Sequence, residues 1–178
     1  MLSRASAAVV APFLLVAAAA SPAPPDLPQA AGGIHWTVPS GWTAGKTSPM
    51  RAATYGVPAA AGQEPGECAV FFFGPGQGGG VDENVARWGK QFEGTPKPAA
   101  RTEQVAGLRV TRAEIAGTYL APGGPMMQST GKRAGYRLLG AIVEAPEGNV
   151  FFKLTGPAPT VAAAQAKFDG LVASIRKK

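Results

Sequence analysis

Apolar and polar residues alternate in several short runs, which is the pattern of β-strands with one buried face. The alternation over residues 34–38 predicts a first strand whose polar face carries His35. Residues 51–57 predict a weaker strand, and residues 68–73 predict one that is apolar on both faces and needs cover on both sides. Four more strands, paired around turns near Gly107 and at 146–149, are predicted over 101–106, 108–118, 136–145 and 150–155.

Two segments repeat their apolar residues at helical spacing. The first covers residues 81–92 and has two acidic residues in its first turn, where the helix dipole favours negative charge. The second begins at Thr160, a residue able to cap its N terminus. Its stripe consists of Val161, Ala164, Gln165, Phe168, Leu171, Val172 and Ile175. We therefore predict an α+β fold, with a mainly antiparallel sheet of about six to seven strands and one helix on each face.

The first 33 residues have the composition of an export signal and a linker. Arg4 precedes an uncharged, largely apolar run over residues 5–20 that ends in small residues, as cleaved secretory signal peptides do. The proline-rich residues 21–33 predict a linker, so a single domain is expected at 34–178. The expected location is secreted or periplasmic, with no membrane span after cleavage; a signal retained as an anchor is the alternative.

Composition removes several classes of protein. With 178 residues, 46% hydrophobic and 16% charged, the chain is too apolar for disorder and too short for more than one sizeable domain. One cysteine and one histidine exclude an internal disulfide, a cysteine-based zinc site and a histidine-rich metal centre. The formal net charge is +6, but the basic residues are scattered without interleaved aromatics, which argues against nucleic-acid binding.

Both ends of the predicted domain resemble a known family. Residues 36–42 read Trp-Thr-Val-Pro-Ser-Gly-Trp and resemble the strand and P-x-G-W start of PsbP-like domains. Residues 151–156, followed by Phe168, Leu171 and Ser174, resemble the last strand and helix of that superfamily. The similarity covers most of residues 34–175. It implies an α/β/α sandwich and a small, exported, non-catalytic accessory or binding module.

No motif in the chain predicts a catalytic residue, a cofactor or a metal ligand. Residues 74–79 match G-x-G-x-x-G, but Asp82 and Glu83 would repel a phosphate at the following helix, so a connector is expected. Residues 131–133, Gly-Lys-Arg, lack the spacing of a P-loop. The remaining acid–base candidates, expected to face solvent, are His35, Glu64, Glu67, Glu144 and Glu147.

The loop over residues 123–133 is the best sequence candidate for partner binding. Met126 and Met127 offer adaptable apolar contacts, and Lys132 and Arg133 offer positive charge to an acidic group. The partner would be an unknown envelope protein or an acidic ligand. In the alternative interpretation, the two methionines pack under the sheet edge as a small satellite core.

The sequence favours an exported, non-catalytic binding or accessory module of a bacterial-type cell envelope. The alternative is an extracytoplasmic, hydrolase-like enzyme whose site is assembled from residues distant in sequence. A structural envelope protein is a third possibility. An enzyme should show a deep pocket where acidic, histidine or tyrosine side chains converge, whereas a binding module should show a shallow groove or an exposed apolar patch.

Overall fold

A computed structural model describes residues 29–46, 49–121 and 131–178 and has an α+β fold. Its elements are β1 (Ala30–Ala31), β2 (Ile34–His35), β3 (Thr43–Ala44), β4 (Ala53–Val57), β5 (Gly66–Phe72), α1 (Val81–Gly89), β6 (Ala99–Val105), β7 (Leu108–Ala121), β8 (Gly131–Ala145), β9 (Gly148–Pro157), α2 (Ala158–Ala173) and β10 (Arg176–Lys177). Seven strands form one sheet in the order β3-β4-β5-β9-β8-β7-β6, and every neighbouring pair is antiparallel. The predicted antiparallel sheet is confirmed.

The first predicted strand is shorter than expected and lies in a separate sheet. Only Ile34–His35 forms a strand, and it pairs with β1 on one side and β10 on the other. Beyond the assigned strand, the Trp36 amide donates a hydrogen bond to the Gln29 carbonyl at 2.9 Å, and the Thr37 amide donates one to the Ser174 hydroxyl at 2.9 Å. Burial still alternates over residues 34–38, so the predicted faces are correct although the strand is not.

The expected boundary between linker and domain at residue 34 also changes. β1 and β2 are joined by Gly32 and Gly33, whose φ angles of 60° and 78° suit a tight turn that other residues rarely adopt. Residues 29–33 therefore belong to the fold. The predicted signal peptide at 1–20 and most of the predicted linker at 21–33 lie outside the described residues and stay predictions.

Alternate residues along the central strands pack into two different hydrophobic clusters. In β8, Leu138 packs with Trp88 of α1. The neighbouring Leu139 belongs instead to the cluster that contains Phe168 of α2. The same alternation separates Phe151 from Phe152 in β9, which gives this strand the two apolar faces that its composition requires.

Both helices differ from the prediction at their ends. α1 ends at Gly89 rather than near residue 92, and Phe92 is buried in the turn that follows, where its amide donates to the Gly89 carbonyl at 3.0 Å. Thr160 does not cap α2, because the helix begins at Ala158. Its hydroxyl instead accepts from the Ala60 amide at 3.2 Å and donates to the Glu64 carbonyl at 2.9 Å, which ties the connection between β4 and β5 to the helix.

The predicted loop over residues 123–133 is strand from Gly131 onwards, and residues 123–130 lie outside the described residues. β7 continues to Ala121 and β8 begins at Gly131, and the two strands pair across an irregularity between Gly117 and Tyr119. Residues 131–135 are all exposed, so they carry no alternation of apolar and polar positions by which the sequence would mark a strand.

Candidate functional site

Aromatic and basic side chains lie together on the side of the sheet that packs with α1. Phe71 of β5 lies on this side because its neighbours Val70 and Phe72 turn to the α2 cluster. Lys153 comes from β9, and the other side chains come from β7, from β8 and from residues next to β4 and β5. We name this surface the cation–aromatic strip and define it as Arg51, Phe71, Phe73, Lys153, Tyr119, Tyr136 and Arg133.

One end of the strip is a pair of stacked phenylalanine rings with a guanidinium against them. The rings of Phe71 and Phe73 lie 6.0 Å apart with 14° between their planes, and Phe73 is 37% exposed. The Arg51 guanidinium lies 5.6 Å from the Phe71 ring centre, within the range of a cation–π interaction, and pairs with Glu67 at 2.8 Å. This end offers an apolar surface and a positive charge to solvent.

Lys153 occupies the middle of the strip and is only partly exposed. Its ammonium donates to the Gln91 side-chain oxygen at 2.6 Å and to the Tyr119 hydroxyl at 3.2 Å, and it lies 5.5 Å from the Tyr119 ring centre. Among the described residues, no carboxylate forms an ion pair with it. Lys153 is therefore a cation held by uncharged groups.

Burial sets the protonation of this central pair. It lowers the pKa of Lys153 to about 8, with the positive charge of Arg51 acting in the same direction and Glu67 against it. Burial also raises the pKa of Tyr119 to about 12. Near neutral pH the pair is therefore an ammonium beside a neutral phenol.

The other end of the strip repeats the same combination with tyrosines. The rings of Tyr119 and Tyr136 stack at 5.9 Å with 4° between their planes. The Arg133 guanidinium lies 5.8 Å from the Tyr136 ring centre and pairs with Glu64 at 2.7 Å. The Tyr136 hydroxyl donates to the same Glu64 carboxylate at 2.9 Å. Three cations of the strip thus each lie against an aromatic ring.

The four residues predicted to bind a partner have different outcomes. Met126 and Met127 lie outside the described residues. Lys132 forms an ion pair with Glu93 and takes no part in the strip. Arg133 lies at the tyrosine end of the strip, and partner binding by these four residues stays a prediction.

The glycine-rich segment and the single histidine and cysteine form no recognisable catalytic or metal site among the described residues. In the glycine-rich segment, the Gly80 amide donates to the Glu83 carboxylate at 3.1 Å, and the Asn84 side chain donates to the Gly78 carbonyl at 2.8 Å. His35 is exposed in β2. Cys68 is buried, and burial raises the pKa of its thiol. Within the described ranges, no group of three or more histidine, cysteine or acidic residues could hold a metal ion.

Two cavities lie near β6 and β7, and neither is lined by a residue of the strip. The first has a volume of about 160 Å³ and lies between these strands and α2. Its buried guanidinium, Arg112, is already paired with Glu103 at 2.7 Å and Asp169 at 2.9 Å. The second has a volume of about 530 Å³ and lies beside the N terminus of α1, next to Asp82 and Glu83.

The strip residues that the sequence missed are mostly uninformative alone. Phe71, Phe73 and Tyr119 look like ordinary strand residues. Phe71 and Phe73 stack on each other, but the cations that lie against Phe71 and Tyr119 are distant in sequence. Lys153 did carry a signal, because it is the one charged residue in the otherwise apolar run 150–154. A charge at such a position requires a specific environment, or it would not be tolerated there.

Comparison with known proteins gives a fold. The solution structure of cyanobacterial PsbP (CyanoP) from Synechocystis sp. PCC 6803 is similar to this chain with a TM-score of 0.53 and 13% identity, over 93% of this chain and 99% of that one. The chain has a PsbP-like fold. The PsbP-like resemblance of the sequence is thereby confirmed at the level of fold, with the antiparallel sheet and two helices in the expected order.

Other comparisons add no function to the PsbP-like fold. A protein of unknown function from Pseudomonas aeruginosa is similar over 68% of this chain and 78% of its own, with a TM-score of 0.43 and 11% identity. No family model and no curated protein matches the chain. Within the part of the chain that the structure describes, no helix has the length and apolar character needed to cross a membrane.

Proposed function

We propose that this protein is an exported, non-catalytic binding or accessory module of a bacterial-type cell envelope, and that it contacts its partner through the cation–aromatic strip. The observation that carries the proposal is the arrangement of Arg51, Lys153 and Arg133, each within 6 Å of an aromatic ring centre on one side of the sheet. Aromatic residues and arginine are the types enriched at the centres of protein interfaces.

The partner surface is expected to be acidic. The Arg51–Glu67 and Arg133–Glu64 pairs involve partly exposed side chains, and such pairs contribute little stability, so a partner carboxylate can exchange into them at low cost. Lys153 has no carboxylate of its own among the described residues. An acidic group of a partner would form an ion pair with the Lys153 ammonium, which within the described residues hydrogen-bonds to the neutral side chains of Gln91 and Tyr119.

The two helices are taken to cover opposite faces of the sheet in this proposal. The support is the alternation of Leu138 with Leu139, and of Phe151 with Phe152, between the cluster of α1 and the cluster of α2. α1 has 9 residues and α2 has 16. The shorter helix covers less of its face, and the strip crosses that face from the end of β5 over β9 to β8 and β7.

Partner binding is tested by paired variants that carry the same kind of change inside and outside the strip. The first combines Arg51→Ala with Phe73→Ala, and the control is Lys177→Ala, which removes an exposed cation outside the strip. Each tagged protein is expressed with its own export signal, cross-linked in cells and purified from the envelope fraction, and the captured proteins are quantified by mass spectrometry.

We expect the strip variant to lose a captured protein that both the wild type and the control retain, with melting temperatures close to that of the wild type. Equal capture by all three proteins would refute the strip as the binding surface. The intact mass of the purified protein tests export independently, since cleavage after residue 20 leaves Ser21 as the first residue.

An extracytoplasmic enzyme is the second candidate, and one observation favours it. Lys153, with its pKa lowered to about 8, donates to the hydroxyl of Tyr119, and an amine with a depressed pKa beside a phenol is a combination used in proton transfer. A panel of chromogenic ester, amide and glycoside substrates tests this candidate. Turnover that Lys153→Met abolishes would favour the enzyme, and the absence of such turnover would remove it.

A further inference from the structure

The terminal strand β6 leaves one edge of the large sheet open. All seven of its residues pair with β7 on the inner edge, and no strand of the described residues pairs with its outer edge. Five of the seven residues are exposed: Ala99, Ala100, Arg101, Thr102 and Gln104. An open strand edge of this length presents a row of unpaired backbone groups that can pair with another chain.

One of the two charges on β6, that of Arg101, has no ion-pair partner among the described residues. Arg101 lies directly across the strand pair from Arg112, so each guanidinium has a like charge as its neighbour. Arg112 is compensated by Glu103 and Asp169. Arg101 forms no ion pair with any described residue. It is exposed and lies on the strand that forms the open edge.

The sequence of β6 is complementary to itself when it is read antiparallel. A two-fold axis normal to the sheet at Thr102, the midpoint of Ala99–Val105, overlaps all seven residues of two copies. In that register Arg101 lies opposite Glu103 of the second copy, and the symmetry repeats this pair. Axes at Arg101 or at Glu103 would instead place two like charges opposite each other at the centre. The register with the most strand pairing is therefore also the one with matched charges.

We propose that this protein forms a symmetric homodimer by antiparallel pairing of β6 with β6 of a second copy, in the register centred on Thr102. The backbone of the two open edges supplies the hydrogen bonds. The two Arg101–Glu103 pairs select the register and give Arg101 an ion-pair partner that it does not have among the described residues; each Glu103 carboxylate would then lie between Arg101 of the second copy and Arg112 of its own chain. Two seven-stranded sheets become one continuous sheet across the axis.

Charge reversal in two separate variants tests the register. Arg101→Glu places Glu opposite Glu at both positions of the homodimer, and Glu103→Arg places Arg opposite Arg. We expect each variant alone to raise the dimer Kd about tenfold or more in sedimentation velocity across a concentration series of the purified protein. When the two variants are mixed, both positions hold opposite charges again, so a heterodimer should form with a Kd near that of the wild type.

The controls separate pairing from folding. Arg101→Glu places a carboxylate opposite Arg112 in its own chain, so its melting temperature should not fall. Glu103→Arg removes one partner of Arg112; if it fails to fold, the double variant Arg101→Glu/Glu103→Arg replaces it and should dimerise as the wild type does. Lys177→Glu, a charge reversal outside β6, should leave the Kd unchanged. A monomeric wild type, a dimer indifferent to Arg101→Glu, or a folded pair of variants that stays monomeric when mixed would each overturn the proposal.

Discussion

Within the part of the chain that the structure describes, the side chain of Lys153 donates hydrogen bonds to two neutral groups, those of Gln91 and Tyr119. Because burial favours the neutral amine, its pKa falls to about 8 from the ordinary value of 10.5 that applies to the unfolded chain. Between these two values the unfolded protein binds more protons than the folded one. The contribution of this residue to stability therefore increases as pH rises through that window and is constant below it.

This linkage gives a prediction for the variant Lys153→Met. From about pH 7 to about pH 10, the free energy of unfolding of the wild type should rise relative to that of the variant, by up to about 3 kcal/mol. Urea titrations at several pH values measure the difference. Lys177→Met, which removes an exposed lysine, controls for the general effect of alkaline pH. A difference that stays constant with pH would show that Lys153 is not desolvated in the folded protein.

At the scale of single residues, the strip is defined by which residues belong to it and by which partners they contact. The sequence carries part of the first kind of information and none of the second. It contains Lys153 as an isolated charge in an apolar run, although we predicted no role for that residue, and it places Arg133 in the loop predicted over residues 123–133. It does not identify their partners, because Gln91 lies 62 residues from Lys153 and Glu64 lies 69 residues from Arg133. Those contacts depend on sheet order, which alternation alone does not specify.

At the scale of elements, periodicity predicted those that bury a regular stripe. The buried residues of α2 were read correctly from residue types, apart from the partly buried Gln165, and β5 sends residues to both clusters as its two apolar faces predicted. β1, β3 and β10 each have two residues, which is too short for any period to show. The first five residues of β8, 131–135, are exposed and show no buried stripe. Elements that bury little leave little trace in the sequence.

The contact between α1 and β8 depends on one glycine. A Cβ at Gly140 would overlap the ring of Trp88, which is itself buried against the sheet. Gly140→Ala should therefore lower the free energy of unfolding by about 1–3 kcal/mol, because the indole must shift in a close-packed cluster. Denaturant titration measures this loss.

Gly170→Ala is the matched control for that variant. Gly170 is exposed in α2, and a Cβ there would meet nothing within 4 Å. The same substitution should raise stability by about 0.5–1 kcal/mol, because alanine restricts the unfolded chain and favours the helix. Equal effects of the two substitutions would mean that Trp88 does not pack over Gly140.

At the scale of the whole molecule, one sheet joins two hydrophobic clusters. The central strands β8 and β9 contribute alternate residues to both clusters. Disruption of either cluster therefore disturbs strands on which the other cluster also depends. The antiparallel sheet and the order of its main elements were predictable, because local turns pair successive strands. The position of β9 between β5 and β8 was not, because β5 and β9 pair across about 80 residues of intervening chain.

The shared sheet predicts that the two clusters unfold together. Trp88 belongs to the cluster of α1 and Phe168 to that of α2, and both side chains are almost completely buried. Trp88→Ala and Phe168→Ala should each lower the free energy of unfolding by about 3–5 kcal/mol, a large fraction of the stability of a small domain. In each variant, far-ultraviolet circular dichroism and tryptophan fluorescence should report one coincident transition. If either truncation is too unstable to study, Phe168→Leu supplies a milder loss in the α2 cluster. Transitions that separate between the two probes would mean that the clusters are independent, and that the alternation along β8 and β9 does not couple them.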